Sequence, residues 1–507
     1  MHNTSNNLVD EVIRQVGPAT DDDQIGVKIV DGKPVLARGY GQYRGGVFFM
    51  DTNGELRIGG RSSEGGNGVL IPGVQRNSLM SKLARVSIDY TSGVKDFGYR
   101  DGSGYFVLMN NGTLYVWGAN HNGSSAIGAT APNPIIRPTI IEGIWDEVVI
   151  PEAYSYNTSS SAMYLRKRGE KDWYFVGANA WGCYSIGTLV GDTQPIPTII
   201  PHPEGETIKK MWLTTQADGN VFALTEEGNL WAVGRNFQGS LGIGNTTENI
   251  KEWTKVQGLP LPLTANQMLE LEVHGTAGYS NPKSQAWNPV TLVRIGQDLY
   301  TTGPTAHGMN GQNGVDVNVF TQLQGIPSVK SVSHPQSSLQ PYVVLTNNNE
   351  FYSWGFNESG CFGTGDYVNL NVPTLIHEDV DAVWDYRPSG TYGYRQTFII
   401  RLKDGSYWYS GEQGRGSLYP KVPANYPGRI TTFTETRWQE FEHITGKRIV
   451  HFHIISEWAV LENRSILAFM DDGSIYALGF GNPLSSTLTD FGLDKYDVEI
   501  HEPTRYF

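Results

Sequence analysis

Cysteine is nearly missing from this chain: of 507 residues only Cys183 and Cys361 carry a thiol. They occupy the same place in two non-adjacent copies of the repeat described below, which disfavours a disulfide between them, and no metal-ligand spacing includes them. Long apolar runs are missing too, so the sequence offers no membrane-spanning helix. The first residues, MHNTSNNLVDEVIRQVG, have neither the basic flank nor the apolar core of a secretory signal. These absences lead us to expect a soluble chain made in a reducing compartment. Charge is sparse at 18%, and 38 basic against 51 acidic residues leave a net charge of −13. The lysines and arginines are scattered, so the basic footprint of a nucleic-acid binder is absent. No Gly-x-Ser-x-Gly elbow, phosphate loop or zincin motif occurs. The sequence therefore assigns no catalytic residue, metal or cofactor, and the expectation is a non-enzyme.

What is abundant is glycine, 60 residues, with 26 tyrosines, 19 phenylalanines and 13 tryptophans. Much of it falls into one repeated phrase, a hairpin followed by a glycine loop. Clear copies read LMNNGTLYVWGANHNGSSAIG (108–128), LTEEGNLWAVGRNFQGSLGIG (224–244) and LTNNNEFYSWGFNESGCFGTG (345–365); weaker ones begin at Met50, Arg166, Arg294, Arg401 and Met470. Counting the glycine that ends each hairpin gives eight copies: Gly60, Gly118, Gly177, Gly234, Gly303, Gly355, Gly411 and Gly479. A period of this size marks a solenoid, propeller or array, and a β unit selects the propeller. Turns such as Asn-Asn-Gly supply the positive φ that a tight hairpin requires.

Beyond the anchor, a glycine recurs at +5 in seven copies: Gly65, Gly123, Gly182, Gly239, Gly308, Gly360 and Gly416. Four copies add one at +10, Gly128, Gly187, Gly244 and Gly365, and four carry asparagine at +2, Asn120, Asn179, Asn236 and Asn357. Glycine fixed in such a frame implies left-handed φ or close backbone approach. Then comes Pro-Thr before an apolar pair, at Pro138, Pro197 and Pro373; proline, lacking an N–H, suits an edge strand. A short strand such as Trp145–Val149 follows, making about four strands per unit, one propeller blade.

This frame of tryptophan-glycine-x-asparagine, spaced glycines and proline-threonine resembles the regulator of chromosome condensation-like repeat. The resemblance covers about residues 46–507 and implies an all-β fold: a single closed β-propeller of seven or eight four-stranded blades. Residues 1–45 are read as an N-terminal adaptor or docking segment, with the alternative that they close the ring, and 46–507 as the propeller. The family's nucleotide exchange on a small GTPase depends on loops outside the repeat frame, and nothing here carries those over residue by residue.

Two sets of aromatics outside the frame are ligand-binding candidates because flat apolar faces suit sugar rings or protein hot spots. Trp181, Tyr184, Phe237, Phe356 and Phe362 lie in the glycine loops; Tyr419, Tyr426, Phe433 and Trp438 lie in an insert at 417–447, where extra length on a rigid scaffold carries recognition. A second insert spans about 246–290. The competing account is that the loop aromatics cover neighbouring blades. Asp21-Asp22-Asp23 has calcium-binding chemistry but reads as a solvated linker, and His451 and His453 with His443 read as packing histidines rather than metal ligands.

Composition, loops and adaptor together resemble bacteriophage tail or baseplate proteins. The expectation drawn from this is a non-enzymatic virion component, made in the host cytoplasm and used for assembly or attachment to a cell-surface glycan or protein receptor. The partners expected are proteins of a larger assembly, with no nucleic acid and no membrane insertion. The alternative is a cytoplasmic regulatory scaffold or exchange-factor-like protein, and a minor alternative is a glycan-acting enzyme.

Overall fold

The computed structural model describes residues 26–38, 47–61, 79–100, 104–120, 125–128, 135–153, 162–178, 193–215, 220–276, 289–333, 341–386, 396–413, 428–456, 464–481 and 498–505. Strands dominate. They form six four-stranded sheets, one of three strands, one of five and a two-stranded hairpin. The eight larger sheets follow the chain: 47–85, 94–141, 145–199, 208–255, 271–322, 329–377, 380–435 and 449–505. Each is an antiparallel meander; the second sheet consists of Val94–Tyr99, Gly104–Met109, Leu114–Gly118 and Ile135–Ile141. The fifth strand of the fourth sheet is Pro151–Ala153, which runs parallel to Ile208–Thr215.

Burial follows strand position. The second strand is continuously buried, as in Val221–Thr225, and the fourth is largely open, as in Ile250–Lys255. A short unbroken apolar run is what a strand covered on both faces requires. The cover is the adjacent sheet. Successive sheets share apolar cores all along the chain, from Phe48, Phe97 and Trp117 between the first and second to Tyr407, Phe452 and Ile466 between the seventh and eighth. One further core joins the ends of the chain: Val27, Val47 and Phe49 of the first sheet pack with Leu467, Phe469 and Ile475 of the last.

The anchor glycine ends the strand that follows the hairpin turn at Gly118, Gly234, Gly303 and Gly355 and stands one or two residues inside its end at Gly60, Gly177, Gly411 and Gly479; there the pairing of that strand with the next shifts register in all eight sheets. This is a β-bulge, which tolerates left-handed backbone when it holds glycine. Gly303 shows the reason, with φ +113° and the Pro289 carbonyl oxygen 2.5 Å from where a Cβ would stand.

Residues 26–38, N-terminal to the boundary expected at residue 45, pack onto the first sheet. Val27 bridges to Asp51 and Leu36 to Phe49, so this stretch takes the place of the missing first strand beside Val47–Met50. It also reaches both neighbours. Val27 N donates to Gly473 O of the eighth sheet at 2.8 Å, and Arg38 pairs in parallel with Gly98 of the second. The Arg38 guanidinium holds Asp96 and donates to the Val148 carbonyl of the third sheet at 2.9 Å. Apolar alternation in this stretch is short and irregular, so sequence pattern alone did not separate it from an adaptor.

Candidate functional site

Strand direction alternates within each meander, so connections sort onto two ends of the sheets. Hairpin turns and sheet-to-sheet links leave one end. The first-to-second and third-to-fourth connections, the latter containing the glycine loops, leave the other. That loop end is the candidate functional surface.

Among the described residues one construction recurs in the glycine loop. The asparagine at +2 caps it: the Oδ1 atoms of Asn120, Asn236 and Asn357 accept from the backbone N–H of Ser125, Leu241 and Phe362 at 3.0, 3.0 and 3.1 Å. The +5 glycine then meets the fourth strand of the next sheet, Gly239 lying against Asn318, Gly308 against Leu370 and Asn371, and Gly360 against Thr431, all with positive φ. The +10 glycine donates to that same strand, Gly244 to Asn318 O at 2.8 Å, Gly365 to Thr431 O at 2.6 Å and Gly128 to Pro195 O at 2.9 Å. Each loop thus covers the otherwise open edge of its neighbour, one of the ways a sheet avoids edge-to-edge pairing.

The frame contains a position that the sequence reading passed over. At +8, Gly242, Gly311 and Gly363 have φ near the left-handed minimum, +69°, +66° and +69°. Phe320 stacks over Gly242 and Phe433 over Gly363, where a Cβ would strike the ring. Alanine stands there in one copy, Ala126, at φ +61°.

This architecture corrects several candidate ligand contacts. Phe356 is 3% exposed, within the core between the fifth and sixth sheets, and Phe362 is 1% exposed between the sixth and seventh. Both point inward because the asparagine cap and the +5 glycine fold the loop down onto the next sheet. Phe433 is the ring that covers Gly363, and it meets His377 edge-on at 5.7 Å. Trp438 opens the helix Trp438–Thr445 on the hairpin-turn end, 0% exposed against Phe441 and Phe452. Phe237 is half-buried, with the Arg235 guanidinium 5.4 Å from its ring centre. Trp181, Tyr184, Tyr419 and Tyr426 lie outside the described residues, as do Gly123, Gly182 and Gly416. Cys361 is buried, its thiol donating to Gln396 Oε1 at 3.5 Å and Asn357 Oδ1 at 3.7 Å. Among the described residues no group of three or more His, Cys, Asp or Glu is placed to hold a metal. Nor, among them, is any helix long and apolar enough to cross a membrane.

Among the described residues, one exposed apolar group of the loop end lies at the junction of the fifth and sixth sheets. Val315, Tyr367 and Val368 are 59%, 49% and 62% exposed. The fifth-sheet loop meets the fourth strand of the sixth sheet there, Asn313 N donating to Asn371 O at 3.0 Å. His307 stands between them, its ring edge-on to Phe356 at 5.0 Å and Nδ1 3.4 Å from the Asn369 amide nitrogen. Burial holds the His307 imidazole below its ordinary value, against a weaker upward pull from Glu358. Asp316, Glu358 and Asp366 of the fifth- and sixth-sheet loops are exposed as well, so exposed apolar residues and carboxylates share this junction. For Tyr367 and Val368 the signal in sequence was apolar residues between the +10 glycine Gly365 and the strand of Pro373, a stretch otherwise polar.

No family model matches the chain. It is 23% identical over 256 residues to the ultraviolet-B receptor UVR8 of Arabidopsis thaliana, covering 49% of this chain and 52% of that protein. It is 24% identical over 287 residues to the guanine nucleotide exchange factor SRM1 of Saccharomyces cerevisiae, covering 53% and 55%. The matches thus span about half the length of these relatives. Among solved structures, human WBSCR16 aligns over 75% of this chain and 94% of its own, at 14% identity and a TM-score of 0.48. The chain is an all-β protein of mostly four-stranded sheets, similar to regulator of chromosome condensation-like repeat proteins.

Proposed function

We propose that this chain is a non-enzymatic protein-binding propeller in which the eight sheets are eight blades of one ring, and that it works as a regulatory scaffold. The observation that carries this reading is the asymmetry of the two ends. Tight hairpin turns and the sheet-to-sheet links leave one, while the other gathers the first-to-second and third-to-fourth connections and, among the described residues, exposes the patch of Val315, Tyr367 and Val368 beside Asp316, Glu358 and Asp366. Recognition concentrates on loops held by a rigid frame, and a desolvated apolar centre with a polar rim is the anatomy of a protein interface. The patch is suited to a partner presenting an apolar anchor flanked by basic groups.

The similarity to SRM1, an exchange factor by name, supports regulation through protein binding over attachment of a virus particle. A small GTPase is the first partner to test. The experiment compares the wild-type chain with Tyr367→Ala/Val368→Asp, both shown folded by near-ultraviolet circular dichroism, in affinity capture from the native source and in release of labelled GDP from any captured GTPase. Partners held by the wild type and lost in the variant support the reading. Retention of every partner removes the patch from it, and coat or tail proteins in the wild-type capture replace regulation with particle assembly.

A further inference from the structure

Asparagine followed by glycine occurs six times, at Asn53, Asn67, Asn111, Asn122, Asn310 and Asn313, and four of these pairs are described. Their chemistry is the same but their surroundings differ. Self-modification at such a pair requires the glycine amide nitrogen to attack the asparagine side-chain carbonyl, so a glycine N–H already committed to a hydrogen bond is held back. Gly54 N donates to Asp51 O at 2.9 Å, Gly112 N to Met109 O at 2.9 Å and Gly311 N to Gly308 O at 3.0 Å. Asn310 is moreover buried, its amide donating to Gly303 O and Val315 O.

Asn313-Gly314 is the exception. Both residues are exposed; Asn313 has φ +51° and Gly314 φ +84° with open space around it. Among the described residues no hydrogen bond engages the Gly314 N–H. We propose that Asn313 is a site of spontaneous deamidation in the folded protein, a slow covalent change built into the fifth-sheet loop. The Gly314 nitrogen gives up its proton and bonds to Asn313 Cγ, the Cγ–N bond of the side-chain amide breaks, and ammonia leaves. Water then opens the resulting succinimide at either carbonyl, giving aspartate or isoaspartate. No oxidant or reductant takes part, and water is the sole co-reactant.

The consequence is local and directional. A negative charge appears beside Asp316, and in the isoaspartate product the main chain gains a methylene next to the Asn313 N–H that ties this loop to Asn371 O. The fifth loop is thereby loosened from the sixth sheet at the exposed Val315 and Val368. The site assignment itself does not depend on what binds there.

The test is incubation of the full folded chain in mildly alkaline buffer, followed by peptide mass spectrometry with separation of aspartate from isoaspartate. A urea-unfolded sample run in parallel reports the intrinsic rate of every pair. Asn313 is expected to convert about fivefold faster than Asn53, Asn111 or Asn310 in the folded protein, the ratio that one intact backbone hydrogen bond imposes on the competing glycines. That ranking should vanish in urea, and Asn313→Gln should remove the signal from its peptide. Conversion of Asn53 or Asn111 as fast as Asn313 in the folded protein, or an Asn313 that converts in urea but not when folded, overturns the proposal.

Discussion

At the residue scale the glycine frame makes opposite predictions at two positions. Gly239 has φ +84°, and a Cβ there would stand 2.5 Å from Asn318 Cβ and 2.7 Å from its Cα. The clash is with main chain, which cannot swing aside. Gly239→Val should therefore cost about 3 kcal/mol from left-handed strain and overpacking together, read as a fall in the urea midpoint; a near-neutral result would show that the loop does not need this contact. Ala126 is the reverse case, an alanine in the left-handed position that other copies give to glycine. Ala126→Gly should stabilise by about 1 kcal/mol, because relief of the left-handed penalty exceeds the extra freedom glycine gives the unfolded chain. His451 supplies a pH test. Burial, helped by His453, pushes its imidazole from the ordinary 6.5 down to about 3. Between these values the unfolded chain takes up a proton that the folded one refuses, so stability is full above pH 6.5 and declines as pH drops toward 3. His451→Gln should flatten that part of the stability curve, and an unchanged acid limb would assign the loss to other groups.

At the element scale, the helix Trp438–Thr445 shows how an insertion became part of the core. It lies in the link between the seventh and eighth sheets. Trp438 and Phe441 fill the space beside Phe452 and Tyr476, and Glu442 accepts from Tyr407 Oη at 2.7 Å and from Ile449 N at 2.6 Å. Burial and the neighbouring Glu442 raise the Tyr407 phenol far above its ordinary range, so it stays a donor. Glu442→Ala leaves both donors unpaired and should cost about 2–3 kcal/mol, whereas Glu442→Gln retains an acceptor and should recover much of it. Equal losses in the two variants would point to the helix backbone and not this carboxylate. The helix was hard to read beforehand, because a sequence of aromatics in a long insert has the same composition whether it projects into solvent or fills a gap. The hairpins were legible for the opposite reason: turn chemistry, apolar runs and the anchor glycine are local, and each copy repeats them. The inward turn of Phe356 and Phe362 depends on the neighbouring sheet, which no local pattern records, and so does the exposure of Tyr367 and Val368.

At the scale of the whole molecule the question is where the succession of sheets gives way first. Seven of its apolar junctions join sheets consecutive in the chain, each tied by a covalent link as well as a core. The eighth joins residues near opposite ends of the sequence, with Val27, Val47 and Phe49 facing Leu467, Phe469 and Ile475, one backbone bond from Val27 to Gly473, and Gly26 close against Gly473. Its closure costs the entropy of bringing distant segments together and has no linker to offset it. Val27 is 1% exposed, so Val27→Asp places an uncompensated carboxylate in this junction alone. Local opening separates elements according to their own stability. Hydrogen exchange should therefore lose protection first in residues 47–61 and 464–481, while 221–234 and 291–303, on the far junction between the fourth and fifth sheets, retain theirs. Loss spread evenly over all eight sheets would mean that the junctions unfold as one cooperative unit and that the meeting of the two ends is no weaker than the rest.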